Sequence, residues 1–343
     1  MDVEPIGPFL EELVIIDAHI HYWGDHPDAV ALLASVDAKL LNVAVTTSPG
    51  DAWRDQAVIG RGLAGQYPDR YAWCTTFDLP DAAVWAASAE RRRYTDAVIS
   101  GLDRDFAAGA VGCKVWKSIG MELRKPSGEF VMVDDSLFEP IYEHLAMIGR
   151  PLLMHIGEPL ACWQPLDEHN VHAGYYRGSP EWYMGDKPDH PSHRALIDAR
   201  DRVLARHPRL RVIGAHLGSL EYDVAELALR LERYANFAVD TSARMPDLLR
   251  QDAERVRTFM LRFPDRILYG TDVVQRQPVS SLIEPERSAH LASMRQRYVL
   301  DLAYFCSDAT TSRYGVDTKG LGLPADVAAA VMGENARDWY PGV

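Results

Sequence analysis

The sequence predicts a (β/α)8 barrel in one domain, residues 1–343. Eight short apolar runs rich in β-branched residues recur along it, with amphipathic helical patterns between them. Several of those helices stop at Gly or Pro just before the next run.

The predicted strands are residues 13–19 (LVIIDAH), 42–48 (NVAVTTS), 71–78 (YAWCTTFD), 111–116 (VGCKVW), 151–157 (PLLMHIG), 211–216 (RVIGAH), 235–242 (ANFAVDTS) and 266–272 (RILYGTD). Continuous rather than alternating apolar runs suit strands buried on both faces of a parallel sheet. The intervening patterns include PDAVALLASVDAKL, SLFEPIYEHLAMIG and DVAELALRLERY. Residues 158–190 break the rhythm. They have no clear period and carry Trp163, Tyr175, Tyr176, Trp182 and Tyr183. A loop that long after strand five is expected to form a lid or pocket wall, the alternatives being a decorative insertion or a subunit contact. A C-terminal helical extension follows strand eight. It comprises a helix over 284–306 and a last one over 321–340, whose apolar face should lie on the barrel exterior.

The chain carries a net charge of −13. That field repels phosphate backbones, so nucleic acid is excluded as a partner and a small-molecule substrate is expected. Cys74, Cys113, Cys162 and Cys306 are far apart and form no CxxC pair, which fits a reducing compartment. The acidic N-terminus with its two prolines lacks the pattern of a signal peptide, and no apolar stretch spans a bilayer. A cytoplasmic protein is expected. The oligomeric state stays open, a homo-oligomer included.

His19 and His21 are two apart in a strand, and period two turns both toward the barrel interior. Strand five ends at His155, strand six at His216 and strand eight at Asp272. All five sit at strand C-termini, where barrel active sites form. Only the barrel brings them together, and imidazoles with a carboxylate suit zinc or a similar divalent ion. Isolated histidines at 169, 172, 190 and 193 read as solvated or hydrogen-bonded side chains.

The segments VIIDAHIHYW, PLLMHIGEP, VIGAHLGSLE and RILYGTD, in this order, resemble the amidohydrolase superfamily of TIM-barrel enzymes. The likeness is strongest to the amidohydrolase-related branch (amidohydrolase 2), which includes hydrolases and non-oxidative decarboxylases. The resemblance implies one zinc ion per chain on His19, His21, His155 and Asp272. It places His216 beside that ion, orienting or protonating the reacting group. It also makes Lys114 a candidate bridge to a second ion, if carboxylated. The implied function is a hydrolase that turns metal-activated water on a small anionic ester, lactone or amide. Asp272 would be its base and His216 its stabilising group. The alternative is a decarboxylase of a small aromatic or unsaturated acid. Lys117, Trp116, Glu158, Trp163 and Arg244 are the candidate substrate-binding residues. Arg244 suits a carboxylate clamp or, equally, a salt bridge across loops.

Overall fold

The computed structural model describes residues 13–343, so most of the N-terminal segment on which the absence of a signal peptide was argued lies outside the described residues. Eight parallel strands run β1 (Ile15–Tyr22), β2 (Ala38–Val43), β3 (Tyr71–Thr75), β4 (Ala110–Val115), β5 (Leu152–Met154), β6 (Val212–Gly214), β7 (Phe237–Asp240) and β8 (Ile267–Leu268), and a short β9 (Val273–Gln275) follows. Each pairs with its sequence neighbour, and β9 pairs with β1 at the far edge. β8 and β9 are two halves of one strand. Between them, Ala18 N–H donates to Tyr269 O (2.9 Å) and Asp272 N–H to His19 O (2.8 Å). The eighth strand thereby closes the barrel on the first, and among the described residues the barrel sheet has no open edge.

β1 contains a bulge: Asp17 pairs with Leu40, but Ile20 pairs with Asn42. One extra residue shifts the side-chain alternation. Ile16 and Ala18 therefore join an apolar cluster with Leu41, Cys74, Leu153 and Ile213, while Ile15, Ile20 and Tyr22 belong to the outer core under the helices. The bulge turns His19 and His21 inward above that cluster. It sends Asp17 to the outer side, where it accepts from Thr271 N (2.9 Å), Thr271 Oγ1 (2.6 Å) and Tyr298 Oη (3.2 Å).

Two expectations need correction. Strand two begins at Ala38 rather than 42, because the preceding helix ends at Ser35 and Asp37 turns the chain at φ 43°. The last helical segment lies on the exterior only in its first half, where Val327, Ala328, Val331 and Met332 join the outer core. Ala336, Trp339 and Tyr340 share the cluster of inward strand residues and close the barrel floor. A Cβ on Gly112 would meet the Tyr340 ring at 2.9 Å, which is why that strand position is glycine.

A hairpin was not foreseen: β10 (Thr310–Arg313) and β11 (Val316–Lys319) turn through Tyr314 and Gly315, both at positive φ. Two left-handed residues suit the two-residue turn that matches strand twist. Among the described residues, no helix is long and apolar enough to cross a membrane.

Gly214 ends β6, two residues before His216. A Cβ there would sit 2.9 Å from Gly218 Cα and 2.9 Å from the Phe237 ring. Backbone cannot give way as a flexible side chain can. Gly214→Ala is expected to destabilise the protein by about 1–3 kcal/mol in chemical denaturation, and a variant with wild-type stability would contradict this packing.

Candidate metal centre

The residues at the open end of the barrel leave the sheet in unusual conformations. His216 (φ 59°), Leu217 (φ 56°), Ala243 (φ 56°) and Asp272 (φ 58°) are left-handed without being glycine. Such residues cost roughly 1–3 kcal/mol each and persist only where neighbours fix them. Here the anchor is Asp240, at the end of β7. Its Oδ1 accepts from His216 N–H (2.8 Å), Ser242 N–H (3.1 Å) and Ser242 Oγ (2.5 Å), and its Oδ2 faces His19 Nδ1 at 2.9 Å. Burial opposes its ionisation. The His19 ring and the hydrogen bonds outweigh that and hold the carboxyl well below the usual carboxylate range.

Three imidazoles have their outer nitrogen tied to an acceptor: His19 Nδ1 to Asp240, His21 Nδ1 to Val43 O (2.7 Å) and His216 Nδ1 to Ser242 O (2.9 Å). A carbonyl or carboxylate partner places the ring hydrogen on Nδ1 and leaves Nε2 as a lone pair. Those lone pairs converge. His21 Nε2 lies 3.4 Å and His19 Nε2 3.8 Å from Asp272 Oδ1. Candidate ligand atoms of His19, His216 and Asp272 all lie within 4.8 Å of one another. His155 approaches His216 at 3.3 Å through Nδ1, and its buried Nε2 has no partner. Acceptors facing acceptors, with an orphaned buried nitrogen beside them, fit a bound cation.

The electrostatics agree. Burial lowers His19 and His155 and brings His216 down to about 3, so these rings are neutral, as metal ligation requires. Burial by itself would raise the Asp272 carboxyl. The hydrogen bond with His21 and the charges of His216 and His19 lower it on balance, interactions that need a proton on the facing nitrogen or a cation in its place. Lys114 points into the same ring, with Nζ 3.0 Å from His19 Nε2, and burial lowers it to about 8.

The remaining candidates divide. Lys117 and Glu158 form a buried ion pair, Tyr176 Oη donates to Glu158 (3.2 Å), and Lys117 Nζ sits 3.8 Å from the Trp182 ring centroid. Trp182 meets Trp116 edge-on at 5.2 Å. These contacts strap the long loop to the end of β4, and Tyr175 and Tyr176 line the cavity above the histidines, as a lid should. Trp163 does not line it. Its indole donates to Pro191 O (3.1 Å) and packs on His193, closing the loop on itself. Arg244 does line the cavity and, among the described residues, forms no ion pair within 4 Å. It is only 9% exposed, Nη1 donates to Ala243 O (3.0 Å), and Nε has no partner. Burial opposes its charge, but Asp247, Glu221 and Glu158 keep it protonated.

The sequence reading passed over Asp240, Ser242 and Asp17. The signal for Asp240 was present, an acid at the end of an apolar run in AVDTS, aligned with the other strand-end polar residues.

The amidohydrolase family model matches residues 16–342. No curated protein sequence matches the chain. Among solved structures it is similar to an amidohydrolase II (TM-score 0.54, 17% identity, 95% of this chain and 99% of that chain). It is similar also to a decarboxylase of 2,6-dihydroxybenzoate from Rhizobium (TM-score 0.52, 16% identity, 96% and 98%). A third is a dihydroxybenzoic acid decarboxylase from Polaromonas with bound manganese (TM-score 0.52, 14% identity, 96% and 97%). At these identities the likenesses show the barrel fold. With the match running through every strand of a barrel whose histidines and aspartate converge at one end, the chain belongs to the amidohydrolase family of metal-dependent enzymes.

Proposed function

We propose that this enzyme is a hydrolase of a small carboxylate-bearing ester, lactone or amide, built as one barrel domain. One divalent ion would be held by His19, His21, His155 and Asp272, and three imidazoles with one carboxylate favour zinc. Such an ion supplies Lewis acidity, polarising a carbonyl and making water a better nucleophile. The observation that carries the reading is the convergence of imidazole nitrogens on the Asp272 carboxylate, which places a base beside the candidate ion site. Asp272 would take a proton from the attacking water. The water oxygen joins the acyl carbon, the C–O or C–N bond breaks, and the leaving atom receives that proton. His216, whose Nε2 is a lone pair, cannot donate to an oxyanion while neutral. Its role is to accept, either from the attacking water or as a further ligand.

A decarboxylase must deliver a proton to carbon. In the strand-end ring that task would fall to the Lys114 ammonium, which is turned to His19 Nε2 rather than to the cavity arms. The aromatic wall of Trp116 and Tyr175 is what favours that second reading. The metal-loaded enzyme should release acid from a panel of lactones and carboxylate-bearing esters and amides, without CO2 from aromatic acids. CO2 release without acid formation would replace the hydrolase with the lyase. One ion per chain is proposed. Elemental analysis near two would select the bridge through a carboxylated Lys114. Four free cysteines support placement in the cytoplasm, and a cavity of about 510 Å³ over the centre suits a small-molecule partner.

A further inference from the structure

Two cavities meet over the strand-end ring. One, of about 510 Å³, runs toward Arg244, and the other, of about 410 Å³, runs toward Trp23 and Val45. Lys117, His155, Tyr175, His216 and Asp272 line both, so the ring lies at the waist of a two-armed space.

The arms differ in chemistry. In the first, Arg244 is nine-tenths buried, and Nη1 makes its one hydrogen bond, to a carbonyl. A guanidinium has five N–H groups in a planar fork, and among the described residues one of them, on Nη1, is used, so Arg244 lines the cavity with donors to spare. Lys117 does not compete for an anion there, because Glu158 already neutralises it. In the second arm, Trp23, Trp116 and Tyr175 stand with Val45 and Val274. Its polar lining is engaged elsewhere or at the mouth, since Asp51 accepts from Thr47, Gln56 bonds the Val45 backbone and Arg276 is exposed to solvent. Trp116 is held edge-on to both His155 and Trp182, so its face is fixed rather than free to collapse into the space. Fixed aromatic faces bind planar rings with little ordering cost.

We infer that the substrate is two-ended, with a carboxylate on Arg244 in one arm, an aryl group among Trp23, Trp116 and Tyr175 in the other, and the scissile acyl bond at the waist. The inference deepens the hydrolase reading and rests on it for the bond at the waist. The carboxylate is a handle that stays on the product, not the group that leaves.

The test uses a ligand that cannot be hydrolysed. Isothermal titration calorimetry of the metal-loaded enzyme compares β-benzoylpropionate with its neutral amide, which lacks the charge, and with levulinate, which has methyl for phenyl. The full probe should bind at least about tenfold more tightly than either, since a charge-assisted hydrogen bond and a buried ring are each worth that much. Arg244→Met should erase the advantage over the amide and Arg244→Lys reduce it, and both should keep that over levulinate. Trp116→Leu should do the reverse. This double separation excludes simple loss of folding, and the wild-type comparison needs no variant. Binding of all three probes within about twofold, no binding of any, or a loss of both advantages in both variants would overturn the two-armed assignment. Absence of hydrolase activity alongside the expected binding would count against the reaction and leave the two-ended site in place.

Discussion

Asp272→Asn should reduce turnover by ~10²–10⁴-fold while leaving the barrel folded. The amide is nearly isosteric with the carboxylate, and the Asp272 backbone N–H still donates to His19 O across the barrel seam. The left-handed backbone there also suits asparagine, which tolerates that region better than most residues. What is lost is a proton acceptor. An amide oxygen cannot take the proton of the attacking water, so kcat should fall far more than KM rises. Far-UV circular dichroism and melting temperature should match the wild type. If the variant binds metal and turns over a confirmed substrate at a near-normal rate, Asp272 is only a ligand, and the proton passes through His216 or Glu158.

The second large effect is expected at Asp240, which touches no substrate. Asp240→Ala removes the acceptor for the His19 ring, the His216 N–H and both the N–H and hydroxyl of Ser242. Each buried donor left without a partner costs about 1–3 kcal/mol, so several together should remove roughly 3–5 kcal/mol of stability. Asp240→Asn separates stability from tuning. Its amide oxygen can still accept from the backbone N–H groups, but its NH2 cannot accept from His19. The ring then loses the partner that fixes its hydrogen on Nδ1, and metal affinity should drop ~10–100-fold with little loss of stability. Competition with a chromophoric chelator reads that affinity directly. An Asn variant that holds metal as tightly as the wild type would show that Asp240 supports the fold alone.

The strand-end ring was legible because barrel geometry converts a linear fact, polar residues closing apolar runs, into a spatial one. His19, His21, His155, His216 and Asp272 all arrive where that rule sends them. The rule is silent on backbone irregularity. The β1 bulge reverses the face of Asp17, which strict alternation would place beside His19, and nothing in IIDAHIHY marks the extra residue. The split of the eighth strand at GTD depends on a left-handed Asp272, which no local preference demands. The hairpin at Tyr314 and Gly315 was readable, as a Tyr-Gly pair between two Thr-bearing stretches, but its polar alternation looks like loop. Side-chain roles in the long loop were the least legible. Composition marked it as aromatic, yet only the fold decides that Tyr175 faces the cavity and Trp163 the loop interior. Lys117 and Glu158 read as separate substrate-binding candidates, and their pairing is a contact between residues just beyond two strand ends, 41 apart.

The central claim is that the converging lone pairs exist to hold one divalent ion. Anomalous diffraction from crystals of the metal-loaded enzyme, collected at the absorption edge of the bound metal, tests it most directly. The account predicts a single peak per chain, within about 2.0–2.2 Å of a ring nitrogen of His19, His21 and His155 and of an Asp272 oxygen. No peak at the strand-end ring, or a peak held by other residues, would contradict it.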